Sequence, residues 1–324
     1  MSPHPVGQIA ATLRTSRSVL IVCHVGPDGD CIGSALALAL ALDALDVPCI
    51  VGSADGVPET LRFLPASARI VTVPPADPPD ASVAVECSTP ERAGTFAAAL
   101  VSARTVVNLD HHLMNSQYGT IVYWDTTAAA VGEQVEEIIR ALGVPVTPAI
   151  AECLLAAVVT DTGVFRFPNT SPKVLRLAAA LVEAGASTHR IVEQVYEART
   201  PGSVRLLGQA LATVRLTPDG RAAWTVVTPP MLADSGALPE DTTGIAGALR
   251  QISGVRVALM FEQTGDGIRV SIRSRDGARS NVIAEALGGG GHAGAAGFTQ
   301  QGTLDDVVAL TLKEVHKELT RPPS

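Results

Sequence analysis

The chain has 324 residues, 47% of them hydrophobic, which is enough apolar material for two domains with real cores and excludes both a disordered chain and a small disulfide-stapled fold. Twenty-four Lys and Arg against 32 Asp and Glu give a formal net charge of −8, which weighs against a general binder of nucleic acid or of a membrane surface. The charge is uneven: residues 1–186 hold 10 basic and 18 acidic residues and residues 187–324 hold 14 of each, so the whole excess lies in the first part.

In chain order, short β-branched runs alternate with Ala/Leu-rich stretches: SVLIVC (18–23), SALALALALDAL (34–45), PCIVGS (48–53), ARIVTV (68–73), ASVAVEC (81–87), PERAGTFAAALV (90–101) and ARTVVNLD (103–110). Alternating strand and helix predict a doubly wound parallel sheet with helices on both faces, and the near-continuous apolar character of the strands agrees. From residue 127 to about 196 the pattern turns helical, with candidates AAAVGEQVEEIIRALG, PAIAECLLAAVVTD, SPKVLRLAAALVEAG and STHRIVEQVYEA. The alternation breaks at EARTPGSVRLLGQ (197–209). Beyond it the strands LATVRL, AAWTVV, GVRVALMFEQ and GIRVSIRS, with helices near 241–251, 280–287 and 303–318, predict a second, smaller mixed α+β domain. The turn TGDG (264–267) reads as a hairpin. The expected division is 1–190, a linker over 191–209, and 210–324.

The five cysteines are odd in number and form no C-x-x-C pair, so a reducing, cytoplasmic compartment is expected. The N-terminus has no basic stretch leading into an apolar one, and no window approaches about 18 uninterrupted apolar residues, so neither export nor membrane spanning is expected.

Chemistry concentrates at the ends of apolar runs. In HVGPDGDCIGS, His24, Asp28 and Asp30 follow a strand inside a Gly/Pro turn, at the carboxyl end where open α/β sheets place ligands. Imidazole with carboxylates suits a divalent cation of the Mn/Zn/Fe group, while a helix-capping role for the aspartates is the plainer alternative. Glu86 ends ASVAVE before another turn and helix, and alone would pass for a solvated or capping carboxylate. Asp110, His111 and His112 are adjacent at the mouth of a third strand, with two of the chain's seven histidines side by side. Asp161 lies in a Thr-Asp-Thr-Gly turn after a fourth apolar run. Together these six potential ligands (His24, Asp28, Asp30, Glu86, His111 and Asp161) are too many for one catalytic cation and suit two, about 3.5–4 Å apart, sharing a carboxylate, as in hydrolysis of a phosphoester.

In the second part, the Gly-rich stretch GGGGHAGAAGF (288–298) reads as too flexible for a regular element and as a candidate anion nest, with His292 as a further donor. Just before it, Arg269, Ser271 and Arg273 share one face of a strand, and Ile268, Val270 and Ile272 the other. A solvated sheet face beside a close-packed turn is the alternative to phosphate binding.

HVGPDGDCIGS, NLDHHLMNS, VVTDTGVF and GGGGHAGAAGF resemble, in order and over nearly the whole chain, the motifs of the DHH/DHHA1 phosphoesterase family, in the layout of its nanoRNase/pAp-phosphatase branch. The resemblance implies a DHH domain, a linker and a smaller DHHA1 domain, with the active site in the cleft between them. It implies two divalent metal ions, with Mn²⁺ the expected metal: one held by His24, Asp28 and a bridging acid, the other by Asp30, His111, Asp161 and that same acid. His112 would contact the scissile phosphate or help protonate the leaving oxygen, oriented by Asp110, and Arg273, Ser274, Gly289, Gly290, Gly291 and His292 would hold the phosphate or base end of the substrate. The family usually has Asp at the bridging position and this chain has Glu86, one methylene longer.

The expected activity is a Mn²⁺-dependent phosphodiesterase that takes oligonucleotides of about two to five nucleotides to mononucleotides and 3′-phosphoadenosine 5′-phosphate (pAp) to AMP, with no long duplex and no membrane as partner. A homodimer accords with the resemblance. Rivals are a cyclic-dinucleotide phosphodiesterase, a RecJ-like single-strand exonuclease, a family II inorganic pyrophosphatase and, from a different class, a nucleotide-sensing module whose catalysis is lost at Glu86.

Overall fold

A computed structural model describes residues 5–321. The chain divides into two compact units, one ending at Ala198 and the other beginning at Arg199.

The first unit runs α1 (Val6–Thr15), β1 (Val19–Cys23), α2 (Gly29–Asp43), β2 (Cys49–Gly52), β3 (Ala81–Val85), α3 (Ala97–Ser102), β4 (Thr105–Asp110), β5 (Ile121–Trp124), α4 (Val131–Ala141), α5 (Pro148–Asp161), α6 (Pro172–Glu183) and α7 (Thr188–Val192). Its five strands are all parallel, in the order β2-β1-β3-β4-β5. Alternate residues of each strand feed opposite cores: Val19, Ile21 and Cys23 of β1 join the large core with α2 and α5, while Leu20 and Val22 pack with Phe96 and Leu100 on the other face. This is the doubly wound α/β arrangement the strand pattern predicts.

From β1 the chain crosses outward to β2 and then returns past β1 to β3, so the crossovers part between β1 and β3. Ligands of open α/β sheets lie in the crevice at the carboxyl ends of such a strand pair. His24 directly follows β1 and Glu86 directly follows β3.

Helices α2 and α5 have no polar face because both are covered all round, with Ile32 to Ala39 and Ile150 to Val159 buried. Their closest approach needs Gly33, where a Cβ would stand 2.4 Å from the Cys153 carbonyl oxygen.

The structure departs from the sequence pattern in several places. ARIVTV is not a strand: it holds a 3-10 turn, Ser67–Arg69, and touches the sheet through one bridge, Gly52 to Val71. The prolines at 74, 75, 78 and 79 that follow lack the N–H a strand would donate. A fifth strand, β5, is present at IVYW, where four residues between polar turns gave too short a pattern to read. STHRIVEQVYEA is α7 followed by a π-helical turn, Glu193–Glu197, rather than one helix. Only Arg215 and Leu216 of LATVRL are extended, its first residues closing a helix.

The second unit holds α8 (Pro201–Ala212), β6 (Arg215–Leu216), β7 (Ala222–Val227), α9 (Pro229–Ser235), α10 (Ile245–Leu249), β8 (Val257–Thr264), β9 (Gly267–Ser274), α11 (Ser280–Glu285), β10 (Gly290–His292), β11 (Ala295–Gln300) and α12 (Leu304–Thr320). Its sheet is mixed, in the order β10-β11-β9-β8-β7-β6, with β7 and β8 parallel and the other pairs antiparallel. The Gly-rich stretch, expected to be irregular, is instead the hairpin β10-β11. Gly289 is required there by close approach, since a Cβ would lie 2.2 Å from the Gly297 carbonyl oxygen. No helix among the described residues is long and apolar enough to cross a membrane.

The Gly33 contact yields a stability prediction. Gly33→Ala gains about 1 kcal/mol of helix propensity, yet overpacking against Cys153 is expected to outweigh it and destabilise the fold by a net of about 1–2 kcal/mol. Thermal unfolding checks this, and a raised Tm would contradict the tight α2-α5 seam.

Candidate metal centre

Each ligand candidate of the first unit is fixed by the element that ends beside it. His24 leaves β1 almost fully buried, with its backbone N–H on Cys31 Sγ at 3.3 Å and its Nδ1 2.9 Å from the Val25 carbonyl oxygen. Nδ1 therefore carries a proton, and Nε2 faces Glu86 Oε2 at 3.5 Å and Asp28 Oδ1 at 3.9 Å. Asp28 caps α2, its Oδ1 accepting from the Cys31 N–H at 3.1 Å. The capping reading and the ligand reading thus meet in one carboxylate.

Asp30 is fully buried and held by α4, which begins 101 residues later. Its Oδ1 accepts from Gly132 N–H at 3.0 Å and the Ser34 hydroxyl at 2.9 Å, and its Oδ2 from Val131 N–H at 2.5 Å. A helix N-terminus is a natural seat for a carboxylate. His111 completes this side, its Nε2 standing 3.2 Å from Asp161 Oδ2 and 3.9 Å from Asp30 Oδ2, with its Nδ1 3.2 Å from the Ala128 carbonyl oxygen.

Glu86 stands between the two sides. His24, Asp28 and Glu86 place ligand atoms within 4.8 Å of one another, and so do Asp30, Glu86 and His111. Its Oε1 is buried without a hydrogen-bond partner among the described residues, and its backbone is left-handed, at φ 56. A non-glycine residue held in that conformation stores strain that the surrounding structure must impose.

The donor set of two imidazoles and four carboxylates, with an unsatisfied carboxylate oxygen in the middle, fits divalent cations. Burial pushes the Glu86 carboxyl well above the usual carboxylate range, reinforced by repulsion from Asp30 and Asp28, and Asp161 is pushed up by burial and by the same two neighbours. Cys31, in the midst of these groups, keeps its proton: burial pushes its thiol well up, and it donates to the Val85 carbonyl at 3.5 Å.

Asp110 behaves in the opposite way. Burial acts to raise it, but hydrogen bonds outweigh burial and hold it at about 2. The donors to Oδ1 are the backbone N–H groups of His111 and His112 and His112 Nδ1 at 2.6 Å, and Asn115 Nδ2 donates to Oδ2 at 2.6 Å. Trp124 Nε1 fixes the His112 carbonyl at 2.7 Å. Asn115, Ser34 and the α4 N-terminus carried no signal in the sequence, because each acts only through another residue.

In the second unit, Arg273 pairs in register with Ala295, and burial together with the neighbouring Arg250 lowers its pKa. Ser274 is buried and its hydroxyl is committed to the fold, within hydrogen-bond reach of the Ala278 and Ala293 carbonyls and accepting from Ser280 N–H. It braces the turn after His292. Arg269 is tied to Glu262 and Thr242. Gly290, Gly291 and His292 form β10, and Gly289 immediately precedes it.

A carboxyl whose pKa is raised on folding binds its proton more tightly in the folded state, so it favours folding as pH falls toward its ordinary value and disfavours folding above. In chelator-treated protein, Glu86 and Asp161 are therefore expected to raise Tm as pH is lowered from about 8 to about 5. Asp110 acts in the reverse sense, its stabilisation being lost between its ordinary value of 3.8 and about 2, below that window. A divalent cation competes with these protons, so the Tm gain it confers should grow with pH. A gain that shrinks with rising pH would remove Glu86 and Asp161 from the ligand set.

The family description "DHH family, N-terminal domain" matches residues 18–158, and "DHHA1 domain" matches residues 223–320. The chain is 38% identical over 305 residues to the bifunctional oligoribonuclease and PAP phosphatase NrnA of Thermus thermophilus, covering 94% of this chain and 90% of that one. It is 29% identical to the protein of the same description from Bacillus subtilis, covering 90% and 91%. Among solved structures, an exopolyphosphatase-related protein from Bacteroides fragilis aligns with a TM-score of 0.90 at 22% identity over 97% of this chain and 96% of that one, a likeness of fold.

Proposed function

The chain belongs to the DHH family of phosphoesterases, and on that premise we propose that it hydrolyses very short oligonucleotides to mononucleotides and pAp to AMP, with two divalent cations, Mn²⁺ foremost, as cofactors. The observation that carries this reading is Glu86, whose carboxylate belongs to both ligand groups and whose second oxygen has no partner among the described residues. The substrates follow the two relatives described as oligoribonuclease and PAP phosphatase.

His24, Asp28 and Glu86 would hold one cation, and Asp30, Glu86, His111 and Asp161 the other. Bound there, divalent cations supply Lewis acidity toward phosphoryl oxygens and lower the pKa of water. The protein supplies the rest. Asp110, held ionised, binds His112 Nδ1, which would leave Nε2 to the reacting group, and its charge would stabilise the imidazolium that gives a proton to the leaving oxygen. In the second unit Arg273 and the Gly289–His292 segment would receive a substrate phosphate or base, with Ser274 bracing the turn that positions them.

The acidic first unit repels long polyanions, and aromatic side chains, which stack the bases of long single strands, are only 3% of the chain. A panel of dinucleotide, pentamer, long single strand, pAp, cyclic dinucleotide and pyrophosphate, assayed with Mn²⁺, tests the reading: turnover should be fastest on the dinucleotide and pAp. Equal rates on a long single strand would overturn it. His112→Gln should lower kcat by about 10²–10⁴ with cation binding intact, and Glu86→Ala should reduce the cations bound per chain.

A further inference from the structure

Arg92 has no part in the roles given above, yet it touches the candidate metal centre. Its backbone is locked to the loop that carries His24: the Arg92 carbonyl accepts from Val25 N–H at 2.7 Å and the Arg92 N–H donates to the Thr89 carbonyl at 3.1 Å. The side chain is exposed, and one terminal guanidinium nitrogen lies 3.2 Å from His24 Nδ1. Among the described residues Arg92 forms no ion pair, although Glu86 and Asp28 stand on the far side of the same imidazole. Arg17, Arg69 and Arg140 of the same unit all pair with carboxylates.

The hydrogen bonds of His24 sharpen the point. Its Nδ1 has two neighbours, the Val25 carbonyl oxygen and the Arg92 guanidinium, and it cannot donate to the first while accepting from the second. In the tautomer that frees Nε2 as a ligand, Nδ1 donates to Val25 and the Arg92 side chain loses the one acceptor it has among the described residues. Its planar donors are then left to an anion arriving beside the carboxylates, and a phosphate is the anion a guanidinium fits best.

We propose that Arg92 is a substrate-contacting residue of the first unit, its guanidinium engaging a non-bridging phosphate oxygen of the substrate beside the ligand cluster. This rests on the phosphoesterase reading and adds to it a positive contact within the acidic unit.

The test pairs AMP binding by equilibrium dialysis with steady-state kinetics on a dinucleotide, for the Mn²⁺-loaded wild type, Arg92→Ala and Arg92→Lys. Arg92→Ala should weaken AMP binding and raise KM by about 10- to 100-fold. Arg92→Lys should recover part of both, since it keeps the charge and loses the fork. Cations bound per chain should be the same in all three proteins. Unchanged AMP affinity and KM in Arg92→Ala, beside an active wild type, overturn the proposal and leave the phosphoesterase reading standing. Loss of cation binding in either variant assigns Arg92 to orienting His24 and likewise overturns phosphate contact. A wild type that neither turns over a phosphoester nor binds AMP overturns the underlying reading and this proposal with it.

Discussion

Buried carboxylates repel one another, and the first unit gathers several at one point. The protein neutralises them unequally. Asp110 receives four hydrogen bonds and Asp30 three, two of them from the first turn of α4. Glu86 and Asp161 are instead pushed up by burial and by repulsion from Asp30 and Asp28. Donors supplied by the fold thus hold Asp110 and Asp30 in place as carboxylates, while at Glu86 and Asp161 a proton or a cation would have to offset the crowding.

That arrangement accounts for much of the surrounding architecture. Parallel strands bring the ends of β1, β3 and β4 to one edge of the sheet, and α5 brings Asp161 to the same place. The helices that carry Asp30 and Asp161 are apolar on every side because they are packed into the core, which removes side-chain freedom behind the centre. Strained backbone gathers nearby: Glu86, Val164 and Phe165 all have left-handed φ values of 56 to 60. Such conformations cost roughly 1–3 kcal/mol each and persist where packing enforces them.

The candidate ligands were legible in the sequence because each follows an apolar run, and in a parallel sheet the end of such a run is a position in space. What stayed hidden acts across long separations. Nothing in the residues around Asp30 announces that Val131 and Gly132 will donate to it, and Asn115 reads as an ordinary loop residue. Local patterns also misled where pairing was the deciding fact. ARIVTV has strand-like composition but is followed by prolines, whereas the Gly-rich stretch, which composition assigns to a loop, pairs as β10-β11 because glycine permits close strand contact. The alternation of β9 was read correctly, yet only its neighbours show that Arg269 is spent on Glu262 and Ser274 on the carbonyls around it.

Cys31 gives the centre a further property. Its sulfur, one residue along the chain from Asp30, accepts from the His24 N–H and donates to the Val85 carbonyl, and burial pushes the thiol well up. Its two hydrogen bonds tie the first turn of α2 to the ends of β1 and β3, so the sulfur serves as a clasp between helix and sheet directly behind the candidate ligands.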